Sequence, residues 1–155
     1  MFKKLICLPF ALTLLGCTST PHVDMASCKE TLLNYVNLRD TGSQADYQAL
    51  FSQDATFSIP ALSLHLVGAE TIAERQQQAI QKFKTMHMMT SVDVQAIQND
   101  EARAESYFIL YQQERDKVDA PQTVINGKYT DKLRVLEGKC LIQDRQVDII
   151  RKENW

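Results

Sequence analysis

A chain of 155 residues with a formal net charge of −2 at neutral pH has the length of one ordinary domain with a real core. Its acidic balance argues against nucleic acid and anionic membrane surfaces as partners, because both attract cationic proteins. His22, His65 and His87 are scattered and no Cys/His cluster has metal-ligand spacing, so neither a metal nor a cofactor is expected.

The chain opens with Lys3 and Lys4, followed by an apolar run over 5–15 that fits a signal h-region and is too short to cross a bilayer as a helix. The run closes on Leu14-Leu15-Gly16-Cys17, which resembles the lipobox of bacterial lipoproteins. That resemblance implies a signal peptide over 1–16, lipidation of Cys17, and membrane attachment through the lipid anchor alone. The competing reading is a buried N-terminal helix. Thr18, not an acidic residue, follows the cysteine, which in Gram-negative lipoproteins implies the outer membrane, facing the periplasm. Loss of the two signal lysines would take the net charge to −4. Cys7 would leave with the signal, so Cys28 and Cys140 remain in an oxidising compartment, where one disulfide is expected. Two separately buried thiols are the alternative.

Residues 17–26 are polar and contain Pro21, reading as a tether to a domain over 27–155. Ser27 and Glu30 form a capping box, and Cys28, Leu32, Tyr35, Val36 and Arg39 recur at helical spacing, predicting an amphipathic helix over 27–39 that Gly42 ends. Ser43 caps a second helix over 44–51, and Asp54-Ala55-Thr56-Phe57 reads as a turn and short strand. Beyond Pro60, the alternation of Leu62, Leu64 and Leu66 marks a hairpin partner. After Gly68, Ala69, Ile72, Ala73, Gln76, Ala79, Ile80 and Phe83 mark the buried stripe of a third helix. Strands are predicted over 87–98, 102–112, 123–136 and 140–150, with tight turns at Asn99-Asp100 and Glu137-Gly138. Helices first and an antiparallel meander afterwards predict an α+β fold.

Four phrases, in order, resemble the SnoaL-like proteins: Val36 to Asp40; Asp46-Tyr47-Gln48-Ala49-Leu50-Phe51 with Asp54-Ala55-Thr56-Phe57; Thr85-Met86-His87-Met88-Met89-Thr90-Ser91; and Gly127-Lys128-Tyr129-Thr130-Asp131-Lys132-Leu133. This is a branch of the nuclear-transport-factor-like cone fold that also holds ketosteroid isomerases, scytalone dehydratase and polyketide cyclases. The resemblance, over about 27–153, implies a curved antiparallel sheet wrapped by three N-terminal helices around a deep apolar pocket.

Members that remove a proton beside a carbonyl need a base in an apolar cavity and a donor for the developing oxyanion. The resemblance points to His87 as base and to Asp40 as the carboxylate that orients it and favours its charged form. Arg39 stands where the dehydratase has a tyrosine, and Gln112 about where it has a second histidine, so acid catalysis is lost at that position. Asp54 reads as a turn-capping carboxylate.

Strand alternation adds its own evidence. Ile125, Gly127, Tyr129, Asp131, Leu133 and Val135 share one face, which places Asp131 in an apolar row where it needs an Arg or His partner or a raised pKa. An exposed pair across the sheet is the alternative. Ala102, Ala104, Ser106, Phe108 and Leu110 form a similar row ending at Gln112. His87 has the opposite parity to Val92, Val94 and Ala96, so it faces the pocket only if a bulge near Thr90-Ser91 intervenes; otherwise it is a strand-edge histidine.

The candidate ligand-lining residues are Tyr35, Phe57, Phe108, Gln112, Tyr129 and Asp131. The first functional reading is a membrane-tethered pocket that binds a small apolar or aromatic molecule, or an envelope partner, without chemistry. The second is an isomerase or dehydratase using His87 and Asp40, and a purely structural envelope protein is the third. Arg103, Glu105, Tyr107, Ile109 and Tyr111 form the outer row of their strand, a candidate homodimer surface.

Overall fold

The computed structural model describes residues 23–117 and 119–155; the expected signal over 1–16, the expected lipidation site Cys17 and the first part of the expected tether lie outside them. Helix α1 runs Met25–Thr41, earlier than its predicted start, because Asp24 caps it by accepting a hydrogen bond from the Ala26 N–H at 3.0 Å. Val23 is buried in the core, so residues 23–26, expected as the end of the tether, are already part of the fold. Cys28, Leu32, Tyr35 and Val36 are the buried stripe of α1, as their spacing predicts. The helix stops at Gly42, where a Cβ would stand 2.7 Å from the Leu38 backbone.

Helix α2 (Gln44–Gln48) is capped by Ser43 and buries Tyr47. Strand β1 (Phe51–Ile59) then runs straight through Asp54, which lies exposed in mid-strand and caps no turn. The turn-like residues coincide with an irregularity in pairing between Phe51 and Thr56. A single 3-10 turn, Pro60–Leu62, leads into β2 (Leu64–Val67), and helix α3 (Ala69–Lys82) follows with Ala69, Ile72, Ala73, Gln76 and Ala79 buried.

Four long strands complete the chain: β3 (Phe83–Ala96), β4 (Glu101–Glu114), β5 (Thr123–Leu136) and β6 (Lys139–Asn154). The sheet order is β2-β1-β6-β5-β4-β3. The curved sheet and three helices form the α+β architecture expected, with one departure: β1 pairs with β6 in parallel, so the sheet is mixed and not wholly antiparallel. β2 folds back antiparallel on β1 with Ile59 opposite Leu64, the hairpin partner expected after Pro60, and β3 to β6 form a meander of hairpins. The β1–β6 pair closes over the whole intervening chain, and no local turn dictates its direction.

Three pairing irregularities set which side chains face inward. Between Met89 and Ser91 one extra residue in β3 switches the alternation, so Phe83, Thr85, His87 and Met89 share the inner face with Val92 and Val94. In β6 the shift opposite Lys132 and Leu133 brings Arg145 and Val147 to the same side as Cys140 and Ile142. A third shift lies between Asn126 and Gly127.

The Sγ atoms of Cys28 and Cys140 are bonded, with their Cα atoms 5.0 Å apart. The bond ties the start of α1 to the start of β6, and the Thr31 hydroxyl reinforces it by donating to the Cys140 carbonyl at 2.8 Å. On the outer face of β4, Arg103, Glu105 and Tyr107 are exposed while Ile109 and Tyr111 are half-buried.

Candidate active site

Asp40 lies in the last turn of α1, and its side chain meets the start of β3. Its carboxylate accepts three hydrogen bonds: from the His87 backbone N–H at 2.6 Å, from His87 Nδ1 at 2.5 Å and from the Thr85 hydroxyl at 2.8 Å. The side chains are nearly out of solvent, 4% exposed for His87 and 13% for Asp40. The β3 bulge is what allows this, because it puts His87 on the inner face together with Val92 and Val94.

The electrostatics differ from the sequence expectation. Burial would raise the Asp40 pKa, but the His87 hydrogen bonds and charge, with the Thr85 hydroxyl, outweigh it and hold the carboxyl below its ordinary value. Burial lowers the His87 pKa further than Asp40 raises it, and Arg39 and Arg145 push the same way. Asp40 therefore orients a neutral imidazole and does not make it cationic. With Nδ1–H donated to an ionised Asp40, the tautomer leaves Nε2 with its lone pair free, and no described residue hydrogen-bonds it.

His87 borders a cavity of about 260 Å³ enclosed by α1, α2, α3 and the inner face of the sheet. Tyr35, Phe57, Phe108, Gln112 and Tyr129 line it, together with Tyr47, Ile72, Leu110 and Arg39. Phe108 and Tyr129 stack with ring centres 4.3 Å apart. Gly127, opposite Phe108 in the pairing, makes room for that ring, since a Cβ there would stand 2.4 Å from Phe108 Cζ. Tyr47 and Tyr129 are buried, and burial first, then the neighbouring Tyr35, pushes both phenols well above their ordinary pKa, so they remain donors.

Asp131 does not line the cavity. It is fully buried as the alternation predicts, but both its oxygens accept from Arg145, at 2.6 Å from Nε and 2.8 Å from Nη2. Burial raises the Asp131 pKa against the pull of Arg145, whereas the charge of Asp131 holds Arg145 firmly protonated despite its own burial. The guanidinium also lies over Tyr35 and Tyr129, 3.8 and 4.3 Å from their ring centres. Asp131 thus fixes the aromatic wall from behind through Arg145 and makes no contact with the cavity.

Several site residues escape sequence reasoning. Thr85 is a third hydrogen-bond partner of the dyad, and Gln76 donates to the Leu38 and Arg39 carbonyls at 3.0 and 3.1 Å, pinning the turn that carries Asp40. A glutamine in an apolar helical stripe was the available signal for Gln76. Arg145 had none, because a strand irregularity hides its inward parity. Among the described residues no group of His, Cys, Asp and Glu is placed to hold a metal ion, and no helix is long and apolar enough to cross a membrane.

The SnoaL-like domain model matches residues 23–146, the stretch that carries the cavity and the dyad. The chain belongs to the SnoaL-like domain family. Among curated proteins no sequence matches it. Among solved structures, this SnoaL-like chain is similar to a protein from Novosphingobium aromaticivorans provisionally assigned as a scytalone dehydratase, with 16% identity and a TM-score of 0.76 over 85% of this chain and 87% of that one. It is also similar to hexachlorocyclohexane dehydrochlorinase LinA-type3 from Novosphingobium barchaimii, with 10% identity and a TM-score of 0.74 over 84% and 89% of the two chains. At these identities the likeness is one of fold.

Proposed function

We propose that this chain is a general-base lyase or isomerase acting on a small apolar or aromatic molecule, with His87 as base and Asp40 as its orienter. The observation that carries the reading is the largely solvent-shielded Asp40–His87 pair beside an aromatic cavity. A pocket that only holds a ligand has no need of a carboxylate fixing one imidazole nitrogen and leaving the other basic. His87 Nε2 takes a proton from carbon, and the C–H electron pair moves toward an adjacent carbonyl or a neighbouring carbon. The protonated phenols of Tyr47 and Tyr129 are suited to hydrogen-bond an oxygen that gains charge. In an isomerisation the imidazolium returns the proton to another carbon. In an elimination the leaving group departs with its bonding electrons and the imidazolium gives its proton to water. The names of the structural relatives, a dehydratase and a dehydrochlorinase, are both eliminations and support this class.

A second reading, the non-catalytic ligand pocket, is favoured by Gln112, which lines the cavity and cannot protonate a leaving group. Under the first reading a leaving group either departs without a proton or takes one from Tyr47, Tyr129 or the His87 imidazolium, since Gln112 has none to give. The two are separated in heavy water with a panel of enolisable ketones and of halides with an acidic C–H beside the leaving group. Deuterium incorporation or elimination that disappears in His87→Ala supports the enzyme. Saturable binding of those compounds with no exchange and no product supports the binding module.

The lipobox-like stretch supports placing this domain at the cell envelope, tethered through Cys17, and in a Gram-negative cell at the outer membrane facing the periplasm. There it would meet hydrophobic molecules that partition into the bilayer.

A further inference from the structure

The cavity lining holds three fixed cations, Arg39, Arg75 and Lys152, and no carboxylate. This asymmetry runs against the chain as a whole, which has 19 acidic and 17 basic residues. The two nearby acids are already engaged: Asp40 by His87 and Thr85, Asp131 by Arg145. Arg75 and Lys152 are exposed, whereas Arg39 reaches inward, and its Nη1 is out of solvent with no hydrogen-bond partner among the described residues. A buried guanidinium N–H without an acceptor is costly, and such a group in a cavity is explained when the missing acceptor comes with the ligand.

Arg39 is also well placed relative to the dyad. It precedes Asp40 in the same helical turn, whose carbonyls Gln76 holds, and its charge is felt at the His87 imidazole. One ligand can therefore meet Arg39 and His87 together.

We propose that the pocket takes a hydrophobic carboxylate, its apolar body against Phe57, Leu110 and Phe108 and its carboxylate on the Arg39 guanidinium. The planar fork of arginine matches a carboxylate with two parallel hydrogen bonds. A cavity of about 260 Å³ with a largely apolar and aromatic wall suits a compact organic acid. The exposed Arg75 and Lys152 at the rim draw the anion in. This inference rests on the pocket reading of the proposed function and adds the charge of its ligand.

The test is calorimetric titration of the mature protein with 2-naphthoate and with its neutral near-isostere 2-naphthamide. Wild type is expected to prefer the carboxylate by about tenfold or more, the effect of one charge-assisted pair. Arg39→Gln is expected to abolish the preference for the carboxylate over naphthamide. Arg39→Met serves as a second neutral variant, and loss of naphthoate but not naphthamide affinity in high salt reads the same charge without any substitution. Equal affinity for the two probes in wild type, or an undiminished preference in both Arg39 variants, overturns the carboxylate assignment and leaves the pocket standing. Saturable binding of neither probe by the folded protein overturns the pocket reading along with it.

Discussion

Asp40 holds His87 twice, accepting from its backbone N–H at 2.6 Å and from its ring Nδ1 at 2.5 Å. The backbone contact fixes where β3 begins relative to the end of α1, and the ring contact fixes the tautomer. One carboxylate thus positions the strand and the imidazole together, so the base is oriented by the fold itself.

Removing either partner should cost activity and leave the core intact, since neither side chain belongs to the hydrophobic cluster. His87→Ala and Asp40→Asn are each expected to lower kcat/KM by about a hundredfold or more, and the double variant by little beyond the worse single, because both serve one proton transfer. Steady-state kinetics on a substrate found by the heavy-water screen, with circular dichroism as the folding control, checks this. Independent, additive losses would contradict a shared step.

Activity should rise with pH through a midpoint below the ordinary histidine value of about 6.5 and stay level through neutrality, because burial holds the His87 pKa down and the neutral form is the base. Stability should follow the same direction. Both His87 and Asp40 have lowered values in the fold, so their contribution is full at neutral pH and is lost as pH falls, first through the His87 range and then through that of Asp40. Urea midpoints measured across the acid range give the slope, and stability that increases on acidification would contradict it.

Arg145→Leu leaves Asp131 buried at 0% exposure without its partner and removes the cation under Tyr35 and Tyr129. The expected loss is about 3–5 kcal/mol in urea unfolding, and Asp131→Leu combined with Arg145→Leu should recover much of it. A single-variant loss under about 1 kcal/mol would show that the pair is not desolvated as described.

Reduction of the Cys28–Cys140 bond, which spans 112 residues of sequence, should destabilise the domain by about 2–5 kcal/mol. Thiol titration of the denatured, unreduced mature protein should find neither cysteine free.

Cys17→Ala should abolish fatty-acid labelling in cells and leave the precursor unprocessed, because the proposed lipid thioether forms on that thiol. Label retained by the variant would sink the proposed tether.

Much of this site was legible in the sequence because local rules govern it. Helical spacing identifies Cys28, Leu32, Tyr35 and Val36, and strand alternation brings Asp131 inward, as found. What escaped depends on where periodicity breaks. The inward face of Arg145 follows an irregularity in β6, and the turn-rich Asp54 segment lies in a bulged strand. The parallel β1–β6 pair joins segments that no local turn connects. Burial also outweighs the expected upward pull of Asp40 on the His87 pKa, a balance that sequence alone cannot show.

The most direct test is nitrogen NMR of the His87 ring across pH, with His87→Gln to assign the signals. At neutral pH a neutral imidazole protonated on Nδ1 and bare at Nε2 is expected, converting to imidazolium only below the ordinary histidine range. An imidazolium at neutral pH, or a neutral ring protonated on Nε2, would contradict a base poised by Asp40.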